Sequence, residues 1–301
     1  MSTEKTVRTG PEKVEGGMAP PPAGEEGMTN FGFRRVPARE KVALVRNHFD
    51  IVAKRYDLMN TLLSFGIHYL WKRTTIQFLE LKKGDSVLDI CGGTGDLSVL
   101  AAKRIGPSGR IVLCDINRAM MEAGRYKSTH AAERSRVLYV QGDAERAAFA
   151  TGSFDAAMVG FGIRNLTNRE EGLREIHRIL KPGGRFVCLE FSRPTAAWFR
   201  FLYDFYSFRI MPILGRLIAG SRQAYTYLPE SIRLFPTPVE LSGILEEIGF
   251  QGICYRRLTN GIACVHSGMK RETTSSRPPP MSTFPSRIVS NGNSWASSAQ
   301  P

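Results

Sequence analysis

The sequence predicts a doubly wound α/β domain, and three observations indicate it. Short apolar strands alternate with helical segments along the middle of the chain, the order typical of a parallel sheet covered on both faces. One of these strands runs into a glycine loop at Asp89–Gly95. Near the end, Asn260-Gly261 separates two apolar runs and favours a hairpin. We therefore expect a mostly parallel, seven-stranded sheet whose last strand is antiparallel.

The predicted strands are short apolar runs joined by helical segments. They are Ser86–Ile90, Arg110–Asp115, Val137–Gln141, Phe154–Gly160, Arg185–Phe191, Gly252–Arg257 and Ile262–His266. Helices are expected from Asp96, from Asn117, over Asn168–Leu180 and over Pro238–Ile248. The Lys-Pro-Gly-Gly sequence after Leu180 ends the third of these helices.

The two ends of the chain differ from its middle in composition. Residues 1–30 are rich in Gly, Pro and Glu, and residues 269–301 are rich in Ser, Pro, Thr and Asn. Such segments bury too little apolar surface to fold, so we expect both to be disordered. Residues 31–268 would form the functional domain, with an N-terminal helical lid at 31–80 and a substrate- or lipid-facing insertion at 192–236.

Charge and cysteine content restrict the partners and the compartment. The net charge of +13 suggests a nucleic acid or an anionic membrane surface as partner. The excess lies in the folded part, because residues 1–30 carry three basic and five acidic side chains and residues 269–301 carry four and one. The five cysteines have no paired spacing, which indicates buried thiols in a reducing compartment. With no leader and no transmembrane stretch recognisable, we expect a cytoplasmic protein.

The glycine loop Asp89–Gly95 is the most informative segment. Gly93 and Gly95 lack Cβ atoms, which lets the backbone turn tightly and approach a ligand. Asp115 ends the second strand, where a carboxylate accepts ribose hydroxyls. Asp143 follows the third strand and is placed to accept a hydrogen bond from an adenine amino group. These positions meet at the carboxyl edge of the sheet, so the sequence predicts a nucleoside site.

Two further acidic side chains discriminate between nucleoside cofactors. A dinucleotide places its pyrophosphate at the N-terminus of the helix after the loop. Here Asp96 opens that helix, and its negative charge would oppose a pyrophosphate. Asp96 and Asp89 suit a cofactor with a cationic amino-acid end, so S-adenosylmethionine fits better than a nicotinamide dinucleotide.

Short motifs between about Asn30 and Gly268 carry a resemblance to a known family. The specific ones are Tyr56-Asp57-Leu58-Met59-Asn60, Phe161-Gly162-Ile163-Arg164-Asn165 and Tyr227-Leu228-Pro229-Glu230-Ser231-Ile232-Arg233. In these the chain resembles the ubiquinone/menaquinone biosynthesis C-methyltransferases of the UbiE/MenG type. The resemblance implies a class I, Rossmann-like fold. It also implies methylation, by S-adenosylmethionine, of an unsubstituted ring carbon of a polyprenylated benzoquinol or naphthoquinol.

The resemblance also implies cofactor contacts at Thr94, Asp115, Asp143 and Ala144. Members of the family often have a serine hydroxyl that contacts the cofactor where this chain has Gly160. The resemblance leaves three alternatives open: whether the protein is a homodimer, whether it associates with other quinone-biosynthesis enzymes, and which of the two ring systems it methylates.

Methyl transfer to a ring carbon requires a quinol hydroxyl that has lost its proton. A free phenol titrates near pH ~10, so a nearby cation should stabilise the phenolate. Arg164, just past the fourth strand, is the first candidate, and a structural ion pair is its alternative role. Asn165 is placed to hydrogen-bond the second quinol oxygen.

The predicted lid supplies the candidate bases. His68 is the best general-base candidate because imidazole titrates near neutral pH, although a lone histidine in an amphipathic segment is more often structural. Asp57 is an alternative base, and Tyr56, Asp57 and Asn60 are expected to orient the ring. No histidine or cysteine cluster has metal-ligand spacing, so we expect no metal.

The insertion contains an unusually aromatic segment, Trp198–Gly220, with Arg200, Arg209 and Arg216 among large apolar side chains. One interpretation is a helix packed in the core. The other is an interfacial surface that admits a polyprenyl tail and contacts an anionic membrane transiently.

Two other classes of protein compete with this hypothesis. A nucleic-acid methyltransferase would usually carry an Asn-Pro-Pro-aromatic element or a Pro-Cys nucleophile, and neither occurs, so we expect no nucleic acid as partner. A non-catalytic scaffold that binds the cofactor would be distinguished by a single-turnover assay.

Overall fold

The computed structural model describes residues 27–127, 131–134, 136–219 and 222–272. Most of the two ends that we expect to be disordered lies outside these residues. Two boundaries need correction, because residues 28–30 pair with Arg35–Pro37 and residues 269–270 continue the final strand of the sheet. Backbone pairing therefore extends the domain slightly beyond 31–268 at both ends.

The N-terminal segment combines a hairpin with three helices. Strands β1 (Met28–Phe31) and β2 (Arg34–Pro37) pair antiparallel, and helices α1 (Ala38–Val52), α2 (Tyr56–Leu63) and α3 (His68–Phe78) follow. The lid at 31–80, expected to be helical, thus begins with an extended pair. Phe31 and Val36 cluster with Val45 of α1 and with Tyr227, which ties the hairpin to the rest of the domain.

Seven strands form the main sheet, as the sequence predicts. They are β3 (Ser86–Ile90), β4 (Arg110–Asp115), β5 (Val137–Gln141), β6 (Phe154–Gly160), β7 (Leu180–Phe191), β8 (Phe250–Leu258) and β9 (Ala263–Lys270), in the order β5-β4-β3-β6-β7-β9-β8. The neighbours from β5 to β7 are parallel, and β9 is antiparallel to both β7 and β8. The predicted fold class is confirmed, and the closing pair is longer than predicted.

Three helices over the sheet begin close to predicted positions, namely α4 (Asp96–Ile105), α5 (Arg118–Arg125) and α7 (Arg169–Ile179). The short helix α6 (Ala131–Arg134), which lies between α5 and β5 in the chain, was not predicted. Asn117 and Asn168, which we placed inside helices, are N-caps, and their side chains accept hydrogen bonds from the backbone N–H groups of Met120 and Glu171.

The insertion folds as three helices with a short π-helical segment. Helix α8 (Ala197–Phe205) continues through the π-helical Tyr206–Ile210 into α9 (Met211–Ala219), and α10 (Arg222–Arg233) follows. No side chain of α8 is fully buried, which argues against the interpretation of α8 as a core-packing helix. Among the described residues, no helix is long and apolar enough to cross a lipid bilayer.

The core has two halves, one on each face of the sheet. In β3, Leu88 and Ile90 belong to the half formed with α7 and α11 (Pro238–Ile248), whereas Val87 belongs to the half formed with α3 and α4. This alternation follows from the two-residue period of a strand. Asp89 therefore shares the face of Val87 and points toward α4.

Candidate active site

The carboxyl edge of the sheet carries the first of two cavities, which we call the cofactor pocket. Six of the seven residues predicted to bind the cofactor line it, namely Asp89, Gly93, Thr94, Asp115, Asp143 and Ala144. The seventh, Gly95, caps α4 with a φ of +77°, a left-handed conformation that glycine adopts without strain. The glycine loop and the ends of the first three strands of the sheet therefore meet at one cavity.

Asp89 presents an unpaired oxygen in this pocket. Its Oδ2 accepts hydrogen bonds from the Ser98 backbone N–H (3.0 Å) and the Ser98 hydroxyl (2.7 Å). Its Oδ1 is buried and has no hydrogen-bond partner within the described part of the chain. Burial raises the pKa of Asp89 to about 7 against the effect of the bonds from Ser98. Because an unpaired buried acceptor costs free energy, this oxygen suits a cationic group on a ligand.

Asp115 and Asp143 hold the local backbone with their carboxylates. Asp115 accepts hydrogen bonds from the N–H groups of Gly93 (2.8 Å) and Asn117 (2.7 Å), and Asp143 accepts one from the N–H of Glu145 (2.9 Å). A carboxylate oxygen can accept more than one hydrogen bond, so both side chains can also accept hydroxyl or amino groups of a nucleoside. Burial raises the pKa of Asp115 to about 6.

The interpretation of Asp96 as an unpaired negative charge is wrong. Asp96 forms ion pairs with Lys72 (2.8 Å), Lys127 (3.3 Å) and Arg134 (3.5 Å). Burial by itself would raise the pKa of Asp96, but Lys72 and Lys127 hold it well below its usual range. Since three cations already surround this carboxylate, the argument from its charge to the cofactor does not hold, and Asp89 carries that argument alone.

The lid is tied to the glycine loop through Asp57. Thr94 donates a hydrogen bond from Oγ1 to Asp57 Oδ1 (2.9 Å), and Asp57 Oδ2 forms an ion pair with Lys127. Asp57, the alternative base, therefore has both oxygens engaged, and it lines neither cavity. Its position suits a role in holding the lid against the loop.

The second cavity, which we call the aromatic cavity, has a volume of about 370 Å³. Its wall comes from α1–α3, from the segment after β6, from the end of β7, from the insertion and from the turn before β9. It includes Trp71, Phe191, Tyr203, Tyr206 and Tyr227. Three residues, Phe49, Tyr56 and Phe161, line both this cavity and the cofactor pocket. The two cavities are therefore adjacent, and these three side chains lie at their junction.

Arg164 lies in the wall of the aromatic cavity and is almost fully buried. Its Nη1 donates hydrogen bonds to Glu190 Oε1 (2.9 Å) and to the Phe161 carbonyl, and its backbone N–H donates to Glu190 Oε2 (3.2 Å). Its Nε is buried without a partner in the described residues. The ion pair that we weighed as an alternative is thus present, and it fixes the guanidinium at the cavity.

His68 also lines the aromatic cavity, but Thr61 contacts one of its ring nitrogens and the other is buried. Thr61 Oγ1 donates to the Asp57 carbonyl (2.9 Å) and lies 3.2 Å from His68 Nε2. This network assigns the imidazole proton to Nε2 and the lone pair to Nδ1, which is buried without a partner among the described residues. Burial and Lys72 lower the pKa of His68 to about 4. These observations argue against His68 as the general base at neutral pH.

Tyr56 and Asn165 both line the cofactor pocket. Tyr56 is at the junction, and burial raises the pKa of its hydroxyl, which stays neutral. Asn165 lines the cofactor pocket only, and its Oδ1 accepts a hydrogen bond from the Tyr227 hydroxyl (3.0 Å). This placement does not favour the expected contact between Asn165 and a second quinol oxygen.

Comparisons with known proteins show which family the chain belongs to. The profile of the ubiE/COQ5 methyltransferase family matches residues 36–270. The chain belongs to this family. It is 46% identical over 246 residues to a ubiquinone/menaquinone biosynthesis C-methyltransferase UbiE of Stenotrophomonas maltophilia, which covers 82% of this chain and 97% of the relative. A protein of the same name from Methylococcus capsulatus is 45% identical and covers 81% of this chain and 99% of the relative.

A solved structure supports the fold alone. An S-adenosylmethionine-dependent methyltransferase of Thermotoga maritima superimposes with a TM-score of 0.52 at 19% identity, covering 75% of this chain and 99% of that chain. The protein is thus a ubiE/COQ5 family methyltransferase, and S-adenosylmethionine is its methyl donor. Its pocket fits that donor, because the unpaired Asp89 Oδ1 matches an ammonium and Asp115 and Asp143 match a nucleoside.

The family resemblance leads us to expect a serine contact with the cofactor at position 160, where this chain has glycine. A Cβ atom at this position would lie 2.8 Å from Leu97 Cδ1, so the end of the Leu97 side chain would have to shift to admit a serine. Leu97 of α4 lines the cofactor pocket beside Gly160. An apolar side chain therefore packs beside the position from which the serine contact is expected.

Phe161 lines both cavities but was assigned no role from the sequence, and no role was assigned to Phe49 at the junction or to His48 of the aromatic cavity. The φ of +58° at Phe161 is a strained conformation for a bulky residue, which costs about 1–3 kcal/mol. Its ring stacks on Phe191 with centroids 4.3 Å apart, and its carbonyl accepts hydrogen bonds from Arg164 and from Asn165 (3.4 Å). The available signal is its place at the start of the Phe-Gly-Ile-Arg-Asn motif.

Proposed function

We propose that this protein transfers the methyl group of S-adenosylmethionine to an unsubstituted ring carbon of a polyprenylated quinol. The observation that carries the proposal is the junction of two unlike cavities at Phe49, Tyr56 and Phe161. The cofactor pocket offers carboxylates to a cationic nucleoside, and the aromatic cavity offers rings to a flat, apolar substrate. A methyl donor in the first and a quinol ring in the second would meet at these three side chains.

The names of the relatives support a quinol and include both ring systems, because they read ubiquinone/menaquinone biosynthesis. We accordingly propose two substrates, demethylmenaquinol and 2-methoxy-6-polyprenyl-1,4-benzoquinol. Both carry an apolar tail that needs a route out of the aromatic cavity.

Arg164 is the group that we propose to favour the phenolate. Bound S-adenosylmethionine supplies an electrophilic methyl group on a sulfonium, so the chain must position the ring and make it nucleophilic. A guanidinium fixed by Glu190 beside the ring would lower the pKa of a phenol from its usual value near ~10. Because arginine holds its protons tightly, we assign it hydrogen bonding and electrostatic stabilisation but not proton abstraction.

We propose that the quinol releases its hydroxyl proton to bulk solvent, in an ionisation equilibrium that Arg164 shifts toward the phenolate, and that His68 helps to shape the cavity wall. Nδ1 of His68 is sealed from the cavity, and the pKa of His68 is lowered to about 4, so we assign this residue no proton transfer. After the ring carbon has accepted the methyl group, its own hydrogen leaves as a proton and the ring becomes aromatic again. Tyr56, a neutral hydroxyl at the junction, orients the ring toward the methyl donor.

We further propose that the insertion contacts an anionic membrane peripherally. Four large side chains are strongly exposed: Phe65 (81%), which lines the aromatic cavity, and Trp198 (68%), Phe201 (74%) and Leu217 (73%) on helices α8 and α9 of the insertion. Phe65 lies beside Tyr206 in the cavity wall, with ring centroids 6.3 Å apart. A polyprenyl tail leaving the cavity here would enter lipid directly, while the exposed Arg209 and Arg216 would meet headgroups.

A direct assay tests the proposed reaction. The purified protein is incubated in detergent with labelled S-adenosylmethionine and each of the two reduced demethylated quinols. We expect label in at least one lipid. Bound cofactor without label in either lipid, in single-turnover conditions, would instead indicate a scaffold and overturn the proposal.

A further inference from the structure

His48 of α1 is a polar group in the aromatic cavity with no role in the mechanism above. Its ring lines the cavity, as Arg164 does. It is fixed edge-on between two aromatic neighbours, with ring centroids 4.9 Å from Tyr227 and 5.1 Å from Phe49. Tyr227 is itself held by stacking on Phe31 (4.4 Å) and by its hydrogen bond to Asn165. The imidazole therefore has a defined orientation in the wall.

The nitrogens of His48 differ from those of His68 in one respect. No hydrogen bond to either His48 nitrogen occurs in the part of the chain that the structure describes, yet neither atom is among the fully buried, unpaired atoms. They therefore face accessible space, whereas Nδ1 of His68 is sealed. Burial and the nearby Arg164 lower the pKa of His48 to about 4, so the ring is neutral at physiological pH.

A neutral imidazole presents one N–H donor and one nitrogen acceptor. These two atoms have no protein partner among the described residues, so polar atoms of a molecule in the cavity can pair with them. A quinol ring carries its oxygen atoms on opposite edges, and Arg164 can hold one of them. For another ring oxygen the wall offers Asn60, Ser64, Thr259 and His48, and His48 is the one fixed between two aromatic rings.

We propose that His48 hydrogen-bonds a ring oxygen of the quinol and thereby sets which ring carbon faces the cofactor pocket. This inference rests on the proposed quinol substrate. It assigns a substrate-binding role to a residue outside the sequence motifs that carry the family resemblance.

The test compares His48→Phe with a matched control, His177→Phe. Phenylalanine keeps the ring contacts of His48 but removes both nitrogens. His177 of α7 is also partly buried and edge-on to an aromatic ring, Phe250, with centroids 4.9 Å apart, but it lines neither cavity. We expect His48→Phe to raise KM for the quinol about tenfold, the effect of one lost hydrogen bond. Its affinity for S-adenosylmethionine and its thermal stability should stay unchanged, and His177→Phe should leave KM unchanged.

Rescue and binding measurements separate the possible failures. His48→Gln, which restores a donor and an acceptor, should recover part of the lost KM effect. Unchanged KM in His48→Phe, with the wild type active, would overturn the role of His48 alone. If the wild type does not turn over, binding of a short-chain quinol is measured for the wild type and for His48→Phe. Weaker binding by His48→Phe would support the proposed contact. Equal binding, or no binding by either protein, would overturn it.

Discussion

The cofactor pocket and the aromatic cavity adjoin each other but are built in different ways. The pocket is made of loops at the ends of neighbouring strands, and its polar groups hold the backbone through short hydrogen bonds. The cavity is made of side chains from the lid, the segment after β6 and the insertion, which meet only in the tertiary structure. The cofactor pocket can be formed by one edge of the sheet, while the aromatic cavity requires the lid and the insertion to pack together.

The two cavities therefore recognise their ligands in different ways. Carboxylates at strand ends recognise a charged nucleoside, so single substitutions there should change cofactor affinity. An aromatic wall recognises shape, and Arg164 and His48 are the polar groups that we propose to contact the quinol. Substitutions in the wall should therefore change turnover or quinol binding and leave the cofactor in place.

The largest expected effect comes from Arg164→Ala. We expect turnover to fall about 10²–10³-fold because a pre-oriented donor to the developing charge is lost. Affinity for S-adenosylmethionine, measured by calorimetry, should not change, because Arg164 does not line the cofactor pocket.

A paired variant separates catalysis from folding in that experiment. Removing the Arg164 side chain leaves the buried Glu190 carboxylate without its counter-ion, at a cost of about 3–5 kcal/mol in the free energy of unfolding. Arg164→Met with Glu190→Gln should restore much of this stability without restoring turnover. Recovery of turnover in the double variant would reduce Arg164 to a structural ion pair.

The exposed apolar surface around the cavity predicts the next largest effect. Replacing Trp198, Phe201 and Leu217 together by Ser should lower binding to anionic vesicles about 10²-fold, since partial insertion of each side chain into lipid contributes about 1 kcal/mol, below the value for full burial. Affinity for the cofactor should be unchanged. The control replaces three other exposed apolar or aromatic residues, Tyr126, Leu138 and Val239, by Ser. Equal loss in both triple variants, measured by vesicle flotation, would rule out this membrane surface.

In the cofactor pocket, Asp115→Asn should weaken S-adenosylmethionine binding about 10–100-fold, the range for loss of a hydrogen bond to a charged group. The control is Asp155→Asn, because Asp155 also accepts a backbone hydrogen bond (from Ser86, 2.9 Å) but lines neither cavity. Calorimetry that finds the same affinity in both variants would contradict the role of Asp115.

The smallest predicted effect is a pH dependence of cofactor binding through Asp89. An ammonium group binds the ionised carboxylate, and the pKa of Asp89 is raised to about 7. Affinity should therefore rise about tenfold between pH 6 and 8, and Asp89→Asn should flatten this rise.

The stability of the ligand-free protein should depend on Asp89 in the opposite direction, falling as the pH rises. Because the folded pKa exceeds the ordinary value of 3.8, the contribution of Asp89 to stability is complete below about pH 4 and is lost as the pH rises through about 7.

The sequence by itself determined the sheet and the cofactor pocket. Four strands have the predicted bounds, and Asp89, Asp115 and Asp143 meet as expected. The reason is local: a parallel strand is buried on both faces and reads as an apolar run, and the ends of such strands must share one edge. Residues spaced along the chain by this rule can be assigned without knowing any long-range contact.

Only the tertiary structure decided the charges and the aromatic cavity. Asp96 reads as an open charge in the sequence, yet Lys72, Lys127 and Arg134 reach it from three different segments. Likewise, the neutral state and fixed geometry of His48 depend on burial and on Tyr227, far away in the chain. Charge pairing and desolvation are set by neighbours in space, and a sequence pattern does not contain those neighbours.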